Sequence, residues 1–274
     1  MILIRVVLSA LACTACCWAA EIRKEQIHEL MQSADVDAAL AKTQGSMDVI
    51  LKPNFALTFR AAEGAGTWQT HPEADEVWMV RKGSARVSMG ESLASAKSYT
   101  VGPGDIVNAT RDKGYQIAPS EGRFEYVAIR TFAKERHARV GAAPAAQARP
   151  MADVVPAAET SKRIAESSRN LPLHSLGAFM MNIVIWKGAP GPYETHAAND
   201  QIYFVYEGQA KAKLDGHIVN GQEVQAGEIR GTGVTGAREF LVAKGDILFV
   251  PRNTAHYMDP GNLKYVYILG HVRD

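Results

Sequence analysis

Residues Gly188 to Gly208 read GAPGPYETHAANDQIYFVYEG, and residues Gly245 to Asp259 read GDILFVPRNTAHYMD. The first stretch opens on a Gly/Pro turn and then sets Glu194 and His196 two apart, a spacing that puts both side chains on one face of a strand. After the polar break Ala197 to Asp200 comes the apolar and aromatic run Gln201 to Tyr206, closed by Gly208. The second stretch is a β-branched and aromatic strand, Ile247 to Val250, a Pro251-Arg252-Asn253 turn, and then His256. Two histidines and a carboxylate on separate strands meet only where a sheet curls round on itself. In a closed barrel, inward-facing positions of this kind can share one ion.

Moving outward, Gly66 to Gly83, GTWQTHPEADEVWMVRKG, aligns with the later stretch without a gap through its ligand segment. Gln69 falls on Glu194, His71 on His196, Glu76 on Gln201 and Gly83 on Gly208. Gly104-Asp105 then matches Gly245-Asp246, while Thr110 stands for Pro251, Asp112 for Asn253 and Tyr115 for His256. A duplicated spaced pattern of this kind is the mark of an internal repeat.

These motifs resemble those of the cupin family. Its first motif is His-x-His followed by Glu and Gly, and its second joins Gly, Pro, an inner Gly and His. Glu194 stands at the first His, His196 at the second, Gln201 at the Glu and Gly208 at the Gly; Gly245, Pro251 and His256 fill the second motif. Asn253 takes the inner Gly, a substitution that a left-handed backbone tolerates. The resemblance covers roughly Met47 to Thr131 and Ala178 to Val272, and it implies an all-β fold of two jelly-roll barrels, a bicupin. The expected division is residues 1–20 signal peptide, 21–132 first barrel with a helical cap, 133–170 linker and 171–274 second barrel.

Met1 to Ala20 carries Arg5 as its only charge, then the apolar run Val6 to Trp18, then Ala19-Ala20. That order reads as a secretory signal peptide, which places the mature protein in the periplasm or outside the cell. A membrane anchor is the competing reading, and the apolar run falls short of the ~20 residues a span needs. Cys13, Cys16 and Cys17 all lie in this segment, so the mature chain keeps no thiol and must rely on its core. The formal net charge of +1 offers no basic excess for nucleic acid.

Glu21 to Thr43 reads as helix, on the spacing of Ile22, Ile27, Leu30 and Met31, with a further piece after Ser33 carrying Val36, Ala39 and Leu40. The strand period takes over from Met47. Ala133 to Ser168 is Ala/Pro-rich without a strand period and reads as a linker, with a helical turn or two near Ser161 to Ser167. The second barrel carries an insertion that the first lacks, Gly216 to Glu239, read as a hairpin reaching over the barrel mouth rather than as a phosphate loop.

The second barrel is the candidate metal site, with Glu194, His196, Gln201 and His256 as ligands, and Glu194, Gln201 and Tyr257 as candidate catalytic residues. Mixed N/O donors suit one divalent Fe, Mn, Ni, Zn or Cu ion, and two His with a carboxylate is the donor set of non-haem iron oxygenases. The plainer alternative is a barrel with hydrogen-bonded inward histidines and no ion. Gln69, His71, Glu76 and Tyr115 form a weaker site in the first barrel, since a phenol of ordinary pKa near ~10 rarely binds a divalent ion. His28, His137, His174, His217 and His271 lie outside the motifs and read as solvated or structural, although His174 precedes a barrel strand.

Two functions stay open at this point. One is a metal-dependent dioxygenase, decarboxylase, lyase or isomerase acting on a small oxygenated molecule; the other is a non-catalytic binder of such a molecule. A homodimer is compatible with either.

Overall fold

The computed structural model describes residues 30–132, 152–167, 170–176, 179–188 and 190–273. The signal-peptide segment, His28, His137 and most of the expected linker lie outside these residues. Among the described residues no helix is long and apolar enough to cross a membrane.

Two six-stranded sheets of matching order carry the fold. The first runs Val154–Val155, Ile106–Ala109, Asp75–Lys82, Phe124–Thr131, Phe55–Ala62, Ser46–Leu51. The second runs Leu30–Met31, Ile247–Val250, Asn199–Glu207, Lys264–Arg273, Phe179–Lys187, Leu171–Leu176. Each of these two is closed by a second sheet, of four strands in the first barrel and six in the second. Gln69–Thr70, Gly114–Pro119, Ala85–Gly90 and Lys97–Val101 close the first barrel. The second is closed by a sheet that includes Tyr193–His196, His256–Asp259 and Gln209–Leu214. The expected pair of jelly-roll barrels is therefore what the chain forms.

Burial explains the two kinds of strand seen in the sequence. Central strands of the large sheets are buried on both faces, as Phe55–Ala62 and Asn199–Glu207 are, so they read as largely continuous buried runs. Strands of the closing sheets can bury one face and alternate, as Ala85–Gly90 does. The inner faces fill the barrels with matching side chains: Trp78, Met89, Ile117, Phe124 and Tyr126 in the first, and Tyr203, Leu214, Met258, Tyr265 and Tyr267 in the second. The outer faces of the two large sheets pack on each other, joining Phe55, Leu57 and Phe59 with Phe179, Ile202, Phe204 and Phe249 in one core. Each such side chain, when fully buried, contributes about 1.5–3 kcal/mol.

The repeat reaches further than its motifs. Helix α1 (Ser33–Lys42) buries Val36 and Leu40, and helix α2 (Ala157–Glu166) buries Thr160 and Ile164. A two-residue strand precedes each helix and crosses to the other barrel: Leu30–Met31 pairs with Ile247–Leu248, and Val154–Val155 pairs with Ile106–Val107. Two expectations change here. Leu30 and Met31 are strand, not helix, and the stretch read as a linker holds a strand and a ten-residue helix. The reason is local. Helical spacing over residues 27–31 cannot reveal an edge strand two residues long, whose pairing partner lies more than two hundred positions away.

Candidate metal centre

The strand Tyr193–His196 pairs with His256 through Glu194, so Glu194, His196 and His256 come to one inward face by alternation. The turn that delivers His256 is pinned at both sides. Asn253, at φ 62°, donates its backbone N–H to His196 O at 2.7 Å, and Asp200 Oδ1 accepts from the backbone N of Arg252 at 2.9 Å. The same Asp200 oxygen accepts from Lys52 Nζ of the first barrel at 2.9 Å, tying the turn to the neighbouring sheet. Gly208 ends the motif strand at φ 79°, where a Cβ would lie 2.2 Å from Lys264 O, so no other residue fits.

Glu194 Oε1 lies 3.5 Å from His196 Nε2 and 3.5 Å from His256 Nε2. One ligand atom from each of the three residues falls within 4.8 Å of the others. Both Nε2 atoms are buried and make no hydrogen bond. Buried polar atoms rarely go unpaired. His256 Nδ1 donates to Thr254 O at 3.1 Å, which leaves its Nε2 lone pair aimed inward. Burial alone would raise the Glu194 carboxyl, but the two facing imidazoles more than offset this and hold it below the ordinary carboxylate range. The donor set and the unpaired nitrogens fit a divalent ion.

The insertion supplies an outer ring around these three residues. Its strand Glu228–Gly231 lies along Tyr193–His196, with Arg230 opposite Glu194 and Glu228 opposite His196. Arg230 Nε donates to Glu194 Oε2 at 3.2 Å, leaving Oε1 toward the imidazoles. Glu228 Oε2 stands 3.8 Å from His196 Nδ1, and Arg230 Nη2 bridges back to Glu228 Oε1 at 2.6 Å. Gln225 Nε2 also donates to Glu228. Neither Glu228 nor Arg230 was singled out from the sequence, although their two-residue spacing repeats that of Glu194 and His196.

Gln201 is buried on the barrel-facing side of its strand, and its Oε1 accepts from Tyr203 Oη at 2.7 Å. Its carbonyl is thus engaged by a tyrosine, and the amide N–H groups are what it offers the centre. Tyr257 follows His256 directly and so turns to the opposite face, where its ring stacks on Tyr193 at 4.0 Å between centroids. That placement removes it from the candidate catalytic group. His271, read as structural, lies 6.5 Å from the His196 ring in an edge-on arrangement. Its Nδ1 is 3.0 Å from Asn199 Nδ2, and burial pushes its pKa down to about 4. His174 lies in the strand Leu171–Leu176, with its side chain outside those described.

In the first barrel the equivalent centre is filled by a guanidinium. Arg60 donates to both Glu76 oxygens at 3.1 and 3.2 Å and to Tyr115 Oη at 3.1 Å. Trp78 Nε1 donates to Glu76 Oε2 at 2.9 Å. Arg130 Nε lies 2.8 Å from Glu76 Oε1, close enough to pair but off the N–H direction, so it makes no aligned hydrogen bond. His71 Nε2 is paired with Tyr115 Oη at 2.9 Å, and burial raises the Tyr115 phenol, which stays protonated. Gln69 is exposed and meets Tyr115 only through the backbone ladder. Strand register puts Val184 where Arg60 stands and His271 where Arg130 stands. Glu76 therefore serves as partner to an internal cation. The cue was present in the sequence: Arg60 and Arg130 are the charged residues on the barrel side of FALTFRAA and FEYVAIRT, which is otherwise uncharged.

No family model matches the chain, and no curated protein matches it by sequence. Solved structures match it by fold. A cupin 2 conserved barrel domain protein from Leptotrichia buccalis superposes with TM-score 0.63 at 15% identity, over 92% of this chain and 100% of the other. A salicylate 1,2-dioxygenase from Pseudoaminobacter salicylatoxidans superposes with TM-score 0.64 at 8% identity, over 89% of this chain and 83% of the other. The likeness is one of architecture and spans both barrels: the chain has the two-barrel cupin fold.

Proposed function

We propose that this chain is an exported enzyme whose second barrel holds one divalent ion on Glu194, His196 and His256 and acts on a small oxygenated molecule, with oxidative cleavage as the leading reaction type. The observation that carries this reading is the pair of buried, unpaired Nε2 atoms on His196 and His256, both facing one oxygen of Glu194. Two imidazoles and one carboxylate leave coordination positions open, as the non-haem iron oxygenases require. A salicylate 1,2-dioxygenase shares the two-barrel fold, and the oxygenase reading itself rests on the donor set. A bound ion would supply Lewis-acid activation of a hydroxyl or carboxylate, and redox chemistry if it is iron.

The chain's own residues do the rest. Arg230 holds Glu194 by one oxygen, so the carboxylate is presented by the other. Thr254 O fixes the His256 tautomer. Gln201 offers an amide donor on the inner face, oriented by Tyr203, to a substrate oxygen. The buried rings of Tyr203, Tyr265 and Tyr267 floor the barrel and keep water from beneath the centre. Oxygen uptake measured over a panel of small hydroxy- and carboxy-compounds tests the reaction type. Uptake that vanishes in His256→Ala supports oxidative cleavage; turnover without oxygen uptake moves the assignment to a lyase or decarboxylase. Export rests on the Arg5, apolar run and Ala19-Ala20 order, and terminal sequencing from the native host should return Ala20 or Glu21.

A further inference from the structure

We propose that the first barrel is a metal-free receptor for a small carboxylate, bound at its mouth between Arg130 and His71. The barrel interior sets two guanidiniums, Arg60 and Arg130, against one buried carboxylate, Glu76. Glu76 is fully spent. Arg60 takes both of its oxygens and Trp78 a further lone pair, while Arg130 touches it only through Nε and without alignment. The terminal nitrogens of Arg130 are left for another anion. Phe132 lies under that guanidinium at 5.5 Å, a cation–π contact that helps hold it in place.

One atom marks where the anion belongs. Glu73 Oε1 lies 3.6 Å from Arg130 Nη2 and 3.7 Å from His71 Nδ1, beyond hydrogen-bonding distance of both. The Glu73 side chain is 59% exposed, while those of Arg130 and His71 are 19% and 24% exposed and still open to the mouth. A tethered carboxylate thus stands over two donors without bonding either. A free carboxylate, unconstrained by the backbone at Glu73, can close to ~2.8 Å on Arg130 and His71 and displace it. Of these groups the second barrel keeps only the histidine, as His196; Val184, His271 and Ala198 stand where the first has Arg60, Arg130 and Glu73. The site is therefore a property of the first barrel and is independent of any ion in the second.

The test uses the full-length chain carrying His256→Ala, so that the second barrel offers no ion to the probe. Titration with acetate and benzoate, followed by ligand-observed NMR and calorimetry, should give saturable binding at one site. Arg130→Gln should weaken it about tenfold or more, the loss of a charge-assisted pair. His71→Ala, which leaves the Arg60–Glu76 pair intact, should weaken it too, so a folding defect in Arg130→Gln does not leave the matter open. Glu73→Gln should tighten binding, because it removes the tethered competitor. Failure of both probes to bind, unchanged affinity in Arg130→Gln and His71→Ala, or weaker or unchanged binding in Glu73→Gln would each overturn the proposal.

Discussion

The Asp246 carboxylate accepts a hydrogen bond from the backbone amide of Ser33, at 2.7 Å, although the two residues belong to different repeats. Its other oxygen closes its own turn by accepting from Ala243 N at 2.8 Å. The first barrel repeats the arrangement: Asp105 Oδ1 accepts from Ala157 N at 2.7 Å, and Oδ2 from Gly102 N at 2.8 Å. Each Gly-Asp turn therefore caps the helix of the other repeat, next to the short strand that repeat lends. The caps serve as a structural lock between barrels. Asp246→Ala should cost about 1–2 kcal/mol, the usual loss for a helix cap, and urea unfolding measures it directly. A loss indistinguishable from zero would mean the crossed strand, not the cap, holds α1 in place.

The internal cation of the first barrel gives a sharper stability test. Arg60→Met leaves Glu76 buried with only the misaligned Arg130 and Trp78 as partners, and should destabilise the chain by about 3–5 kcal/mol. Adding Glu76→Met to remove the orphaned charge should recover a large part of that loss. Thermal unfolding of the single and double variants reads the difference, and equal destabilisation in both would show that packing, not charge, sets the cost.

Asp200 carries a pH dependence whose sign is fixed by its partners. Burial alone would raise its carboxyl, but Lys52 and Arg252 more than offset that and hold it below its ordinary value. A carboxyl with a depressed folded-state pKa contributes stability above its unfolded value, about 3.9, and loses it as pH falls through that value and below. Stability should therefore fall on acidification below about pH 4, and Asp200→Asn should flatten that part of the profile while costing about 1.5–3 kcal/mol at neutral pH. Unfolding free energies at several pH values check both halves; an unchanged acid slope in Asp200→Asn would assign the dependence to other carboxylates.

How much of this was legible in the sequence follows from the range of each signal. Alternation and the duplicated motif placed Glu194, His196 and His256 together, because strand period is local and the repeat supplied the alignment. Of helix α2 only the turns near Ser161 to Ser167 were legible; its start and the short strand before it lie in Ala- and Pro-rich sequence, and the strand's pairing with the other barrel is a long-range one that no local period encodes. Tyr257 is next to His256 in sequence, and for that reason strand alternation places it on the far face, against Tyr193. Arg60 shares a strand with buried apolar residues, and a buried arginine makes sense only once Glu76 is seen beside it.

Within the second barrel, Glu194 and Gln201 should part company. Glu194 faces both unpaired imidazole nitrogens, whereas the Gln201 carbonyl is engaged by Tyr203. Glu194→Gln leaves a divalent ion facing only neutral donors in a buried site and should lower affinity far more than Gln201→Ala does. Titration of both variants with Fe(II), Mn(II) and Zn(II) compares them. Equal affinities would show that the carboxylate does not hold the ion.

Elemental analysis of the purified protein, beside its His256→Ala and His71→Ala variants, bears most directly on the metal centre. The arrangement of Glu194, His196 and His256 predicts one divalent ion per chain, lost in His256→Ala and retained in His71→Ala, because the first barrel already holds Arg60 where an ion would sit. A native protein without metal, or one emptied by His71→Ala and not by His256→Ala, would contradict it.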